Sequence, residues 1–168
     1  MKLESLVESL LFIADRAVAI ENLAAALEVG TDQIENALQT LHTTYQERGI
    51  RLQRKNAQVQ LVSAPQAGAY IERFLGLALS GKLSSAALET LSIVAYRQPV
   101  TRAQVNAIRG VNSDGVLRSL VRRNLLEKVG QAETIGRPIL YGTTFEFLQQ
   151  FGLESLHDLP QWQELKPE

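Results

Sequence analysis

Cysteine is absent from the 168 residues, which excludes disulfides, thiol nucleophiles and cysteine-held metals. Histidine is scarce: His42 and His157 stand far apart with no second ligand at metal spacing, so each reads as an ordinary surface or boundary residue. Long apolar runs are missing as well. In the opening stretch "MKLESLVESLLFIADR" the longest is Leu10 to Ala14, flanked by Glu4, Glu8 and Asp15. Such a run is neither a secretory leader nor a membrane span, and a cytoplasmic protein is expected. There is no nucleophile elbow and no pair of carboxylates at acid–base spacing. No enzyme activity, metal or cofactor is expected.

A large charge of one sign is also lacking. The formal net charge is -1, yet the distribution is uneven. Residues 1–80 hold 7 basic and 9 acidic residues, 97–137 hold 8 and 3, and 138–168 hold 1 and 5. A basic stretch therefore precedes an acidic end that weakens attraction to phosphate.

What the chain does contain is one plan written twice. "ESLLFIADRAVAIENLAAAL" from Glu8 matches "ETLSIVAYRQPVTRAQVNAI" from Glu89: Leu10 with Leu91, Ala14 with Ala95 and Arg16 with Arg97. After a one-residue insertion, Ala19 matches Thr101 and Leu23 matches Val105. Two copies are too few for a solenoid and indicate tandem small domains. Halves of about 80 residues bury only about 60% of their unfolded surface, so each gains from a partner.

Each copy reads as helix, short extended turn, helix, turn, helix, then hairpin, which is the winged-helix arrangement. In the second copy, Leu88, Leu91, Ser92 and Ala95 mark a helix face, and Pro99 stops that helix. Thr101 with Gln104 forms a capping box, Gly110 ends the next helix, and Asn112, Ser113 and Asp114 supply N-cap types for the third, continuing from Gly115 to Leu126. "QAETIGR" joins two strand-like pieces, with Gly136 near the turn. In the first copy Thr31 or Asp32 caps a helix to about Arg48, and "IRLQR" and "VQLVS" alternate around Asn56-Ala57. The fold class is mainly α with small β-hairpins: two winged-helix domains, 1–80 and 81–153, followed by an acidic tail, 154–168. "PQAGAYIERFLGLALSGKLS" joins them as a helix and a short joint near Gly81.

The third helix of the second copy faces its arginines outward. At 100° per residue, Val116, Leu117, Leu120, Val121 and Asn124 share one side, while Arg118, Arg122, Arg123, Gly115 and Ser119 share the other. Arg118, Arg122, Arg123 and, in the hairpin loop, Arg137 are the candidates for DNA contact. Solvent or a protein partner would suit such a face equally. The first copy lacks this feature: its third helix buries Ile34, Ala37 or Leu38, Leu41 and Tyr45, and presents Glu35, Asn36, Gln39, Thr40 and Thr43. At most weak, non-specific DNA contact is expected. "GLALSGKLS" approaches a phosphate loop, but Leu83 stands where a hydroxyl should hold magnesium, and "AYIERFL" before it reads as a helix, not a strand. Lys82 is read as an exposed linker residue.

The pieces "ALETL", "AYRQP", "TRA", "IRGVNSD", "GRPILYGTT" and "FGLESLHDLP", covering nearly all of residues 85–160, resemble segregation and condensation protein B. "LLFIADRAVAIENLAAAL" in the first copy resembles it more loosely. The resemblance implies a subunit acting in chromosome condensation and segregation, homodimeric through its N-terminal domain. It further implies binding to the kleisin ScpA, and through ScpA to an SMC ATPase, at the nucleoid and without a membrane. The opening helix carries more apolar surface than one face needs: Leu3, Leu6, Val7, Leu10 and Leu11 are the candidates for the dimer interface. Tyr96, Arg97, Gln98 and Tyr141 are the candidates for kleisin contact; local packing is the competing role for all of these. A DNA-binding regulator using the basic face of residues 109–137 is the alternative function.

Overall fold

The computed structural model describes residues 1–76 and 82–161. The joint expected near Gly81, most of the near-phosphate loop and residues 162–168 of the acidic tail lie outside the described residues. The chain divides into two compact units: Met1–Leu79 with Gly152–His157, and Ser80–Phe151 with Asp158–Glu168.

In the first unit, α1 (Leu3–Ile13) leads through β1 (Val18–Ala19) into α2 (Ile20–Leu27) and α3 (Thr31–Tyr45), followed by the wing strands β2 (Ile50–Lys55) and β3 (Gln58–Ser63). The sheet order is β1-β3-β2, all antiparallel. Asn56 takes a left-handed φ of 54° at the hairpin turn, a conformation its short polar side chain tolerates. Val7, Leu11, Leu23, Ile34, Leu38 and Val59 form the centre of the core. A short helix, α4 (Gly68–Leu75), comes after the wing and buries none of its side chains.

The second unit repeats the plan. It runs α5 (Ser85–Arg97), β4 (Val100–Thr101), α6 (Arg102–Arg109), α7 (Asp114–Arg122), β5 (Leu126–Gln131), β6 (Ile139–Thr143) and α8 (Phe145–Gln150). Its sheet order, β4-β6-β5, mirrors the first. α2 and α6 are both eight residues long, and β1 and β4 sit where the aligned repeat puts them. The capping box is present: Thr101 accepts from the Gln104 backbone N–H at 3.3 Å, and Gln104 accepts from the Thr101 N–H at 2.8 Å. Gly110 ends α6 at φ 70°.

Four local expectations are corrected. The buried face of α5 is Thr90, Leu91, Ile93, Val94 and Ala95; Leu88 is 43% exposed and Ser92 also faces outward, so the helix is rotated from the face expected. α7 ends at Arg122, because Asn124 adopts φ 57° and turns the chain into β5. α3 ends at Tyr45, not near Arg48. Its N-cap is Gly30, where any Cβ would lie 2.3 Å from the Asp32 carboxylate, and the Gln33 side chain accepts the Gly30 N–H at 3.0 Å.

The second unit's helix-turn-helix corner is held by polar side chains. Arg109, with its side chain only 8% exposed, pairs with Glu89 of α5 at 2.9 Å and donates to the Ser113 hydroxyl at 3.0 Å. Asn106 accepts the Ser113 N–H and Asn112 the Asp114 N–H, each at 2.8 Å. "IRGVNSD" is therefore a corner clamp. Gly142 of "LYGTT" is equally structural: a Cβ there would stand 2.9 Å from Val129 and 3.0 Å from the Gln98 amide oxygen.

Gly152–His157, expected to end the second domain and begin the acidic tail, instead complete the first unit. Glu154 accepts the Arg54 backbone N–H at 2.7 Å along the outer strand β2, and Leu153 accepts from the buried Gln53 amide at 2.8 Å. The Glu154 carboxylate meets Arg51 at 3.4 Å and His42 at 3.1 Å. Arg51 in turn donates to the carbonyls of Tyr45, Gln46 and Arg48 at 2.6–2.8 Å, capping the negative end of α3. A free sheet edge with open donors favours such a cover.

Candidate partner-binding surfaces

The dimer candidates on α1 separate by direction. Val7 (0% exposed) and Leu11 (3%) are sealed in the first unit's own core, so their expected interface role is corrected to packing. Leu3, Leu6 and Leu10 are half-buried. At the end of the helix Phe12 is 83% and Ile13 80% exposed. Neither was singled out from sequence, although the unbroken run Leu10–Ala14 wraps around a helix and must turn part of itself outward. α4 adds Tyr70 (70%) and Phe74 (88%). An eight-residue helix with no buried side chain is marginal alone, and covering this face would stabilise it.

One internal polar link supports α1 from beneath. The buried Tyr45 hydroxyl of α3 donates to the Glu8 carboxylate at 2.6 Å. Burial first, then the neighbouring carboxylate, push the Tyr45 hydroxyl pKa well above its usual value.

The kleisin candidates do not form one site. Gln98 is engaged internally: its oxygen accepts the Thr143 N–H at 2.8 Å, while its nitrogen donates to Ala95 and to the Thr143 hydroxyl, both at 3.0 Å. Its role is to fasten the end of α5 to β6. The Tyr96 hydroxyl donates to the Pro160 carbonyl at 2.7 Å, and Arg97 is exposed. Tyr141 lies elsewhere, in the trough between α7 and the wing.

That trough gathers most of the DNA candidates. One cleft of about 470 Å³ is lined by Arg118 and Arg122 of α7, Lys128 of β5 and Tyr141 of β6, with Arg102 and Asp114. A second, of about 500 Å³, shares Arg102 and Tyr141 and reaches Arg137 in the wing loop. Arg123 lines neither. Arg102 and Lys128 went unnoticed in the sequence because they lie outside the arginine helix, one on α6 and one on a strand. Arg102 pairs with Asp114 at 2.8 Å. The first unit's counterpart face differs: Arg54 forms a two-pronged ion pair with Glu35 of α3, and the carboxylate keeps the guanidinium protonated beyond its usual range.

Lys82 is exposed, and the segment Gly68–Leu75 ahead of it is a helix. Among the described residues, no three His, Asp or Glu side chains are grouped to hold a metal ion, and no helix is long and apolar enough to cross a membrane.

A family model described as "Segregation and condensation complex subunit ScpB" matches residues 5–162. A curated relative named segregation and condensation protein B, from Clostridium botulinum, is 41% identical over 99% of this chain and 88% of its own length. The Clostridium tetani protein of the same name is 43% identical over 98% and 88%. Among solved structures, ScpB from Mycobacterium tuberculosis is 38% identical, with 90% of this chain and 95% of that one covered at a TM-score of 0.43. A match spanning almost the whole chain, both winged-helix units included, places the protein in the segregation and condensation protein B family.

Proposed function

We infer that this chain is a non-catalytic scaffold subunit of an SMC–kleisin complex in chromosome condensation and segregation. It pairs with a second copy through its first unit and grips the kleisin ScpA, which links it to the SMC ATPase. It works in the cytoplasm, at the nucleoid, and uses the winged-helix shape to hold polypeptides. Energy for any cycle then comes from the SMC partner.

The observation that carries this reading is the uncovered apolar end of α1, Phe12 and Ile13, beside half-buried Leu3, Leu6 and Leu10. Burying a Phe or Ile fully contributes about 1.5–3 kcal/mol. Two copies of each across a two-fold would contribute about 6–12 kcal/mol, comparable with the about 4–15 kcal/mol that association costs. Kleisin contact then falls on the exposed Arg97 and its neighbour Tyr96, since Gln98 is occupied within its own unit.

The test is light scattering of the purified chain, alone and mixed with ScpA. A dimer that binds ScpA in a 2:1 ratio is expected. Phe12→Asp with Ile13→Asp should give a folded monomer. A wild-type monomer without affinity for ScpA overturns the reading.

A further inference from the structure

The two clefts of the second unit share Arg102 and Tyr141 and so adjoin, the first between α7 and the β5–β6 wing and the second between the start of α6 and the wing loop; together they make up one trough. Four of its cations, Arg118, Arg122, Lys128 and Arg137, have no carboxylate partner among the described residues. The only carboxylate lining either cleft is Asp114, and Arg102 already holds it. In the first unit the corresponding side of α3 is closed to anions by Glu35, which neutralises Arg54. Four unpaired cations on a helix, a strand and a loop, lining two adjoining clefts, call for an extended anion.

We propose that this trough binds the phosphate backbone of duplex DNA without reading its sequence. Arg118 and Arg122 are one helical turn apart, about 6 Å along the axis. A DNA strand carries one charge per about 3.4 Å of axis, so a stretch as long as the pair holds about two charges whatever the sequence. Lys128 lines the same cleft from β5, and Arg137 lines the adjoining one from the wing loop. A peptide would need carboxylates at matching places; a nucleic acid has an anion at every step.

Base reading is disfavoured by the same residues. Recognition helices address base edges with their N-terminal residues. Here that end carries Asp114, which repels phosphate and edge acceptors alike, followed by Gly115, which has no side chain. The inference goes beyond the scaffold function and does not depend on it.

The experiment titrates the full-length chain against two fluorescein-labelled 24-base-pair duplexes of unrelated sequence, read by anisotropy. Neutralising four phosphates gives a log–log salt slope of about -3.6, so raising NaCl from 50 to 200 mM should weaken binding about 150-fold. Arg118→Gln with Arg122→Gln should halve the slope to about -1.8, leaving about a 12-fold salt effect. Lys128→Gln with Arg137→Gln should do the same, which covers the case that the first pair disturbs α7. Arg48→Gln, an exposed arginine of the first unit, should change nothing, and the two duplexes should bind within about twofold of each other. No binding at 50 mM salt, a slope indifferent to both double variants, or a strong preference for one duplex overturns the proposal. So does displacement of the DNA by polyglutamate at equal charge concentration, which would make the trough a seat for acidic protein segments.

Discussion

The two units share an element order, a sheet order and even a helix length, yet they treat charge and edges in opposite ways. The first unit pairs the arginines of its wing strand β2 internally: Arg54 on Glu35, Arg51 on Glu154 and the carbonyls of α3. It also covers its outer strand with residues from the far end of the chain. The second leaves four cations open around a trough and leaves that strand's counterpart, β5, without such a cover among the described residues. One architecture thus supports two surfaces, an apolar one on the first unit and a cationic one on the second. The difference resides in a few side chains outside the core.

The strongest way to break this comparison is to remove the cover. Deleting Gly152–Glu168 strips the buried Gln53 amide of Leu153, the Arg54 N–H of Glu154, and Arg51 and His42 of their shared carboxylate. Each buried donor left unpaired costs about 1–3 kcal/mol; with water replacing part of this, the first unit should lose about 3 kcal/mol. That is a large share of the stability of so small a domain. In the second unit the exposed Tyr96–Pro160 bond is lost, worth below about 1 kcal/mol. Hydrogen exchange resolved by unit measures both, and equal losses would refute the assignment of the segment to the first unit.

Next in size is Gln98→Ala in the second unit. It removes both ends of an amide that joins α5 to β6 and leaves the Thr143 N–H without its acceptor. A loss of about 2 kcal/mol is expected in chemical denaturation, with ScpA affinity unchanged in the folded protein. A selective loss of ScpA binding at full stability would restore Gln98 as a contact residue.

Much of this was legible in the sequence, and what was not has physical causes. The repeat, the Thr101–Gln104 box, the Asn56 turn and the outward arginines follow from local rules: hydrogen-bond geometry within four residues and a 3.6-residue period. The docking of Leu153 and Glu154 onto β2 obeys no such rule. It depends on backbone groups about 100 positions away and one buried glutamine, and neither leaves a periodic trace. The leucines of α1 show the same limit. Amphipathicity signals surplus apolar surface, but the rotation that seals Val7 and Leu11 and exposes Phe12 is set by α3 beneath. The face of α5 was misread because Leu88 has leucine spacing, while the buried Thr90 satisfies its hydroxyl on the Ala86 carbonyl at 2.8 Å.

A smaller effect belongs to the first unit alone. Tyr45→Phe removes the bond to Glu8, which should cost about 1–2 kcal/mol for a hydrogen bond to a carboxylate. The wild-type protein should also show a pH signature that the variant lacks. Because the folded pKa of Tyr45 is raised, the unfolded chain releases this proton first, near pH 10. Stability is therefore complete below about pH 10 and falls as pH rises above it. Thermal melts from pH 9 to 11 compare the two, and parallel curves would show that Tyr45 is not the group responsible.

The smallest expected effect is the most direct exchange between the copies. α6 starts at Thr101 with a capping box, whereas the matching α2 starts at Ala19, which has no side-chain cap. Both caps have extended backbone, φ/ψ of -85°/160° at Thr101 and -68°/139° at Ala19, so a hydroxyl at position 19 can accept an N–H of the first turn without strain. Thr101→Ala should cost the second unit about 1 kcal/mol, and Ala19→Thr should stabilise the first by about 0.5–1 kcal/mol. The gain falls short of the loss because Asn22, not Gln or Glu, occupies the position that would return the hydrogen bond. If Ala19→Thr destabilises instead, the half-buried site opposite Gln58 on β3 is too tight for the added methyl. The capless helix would then be a condition of the first unit's packing, not a defect in one copy of the plan.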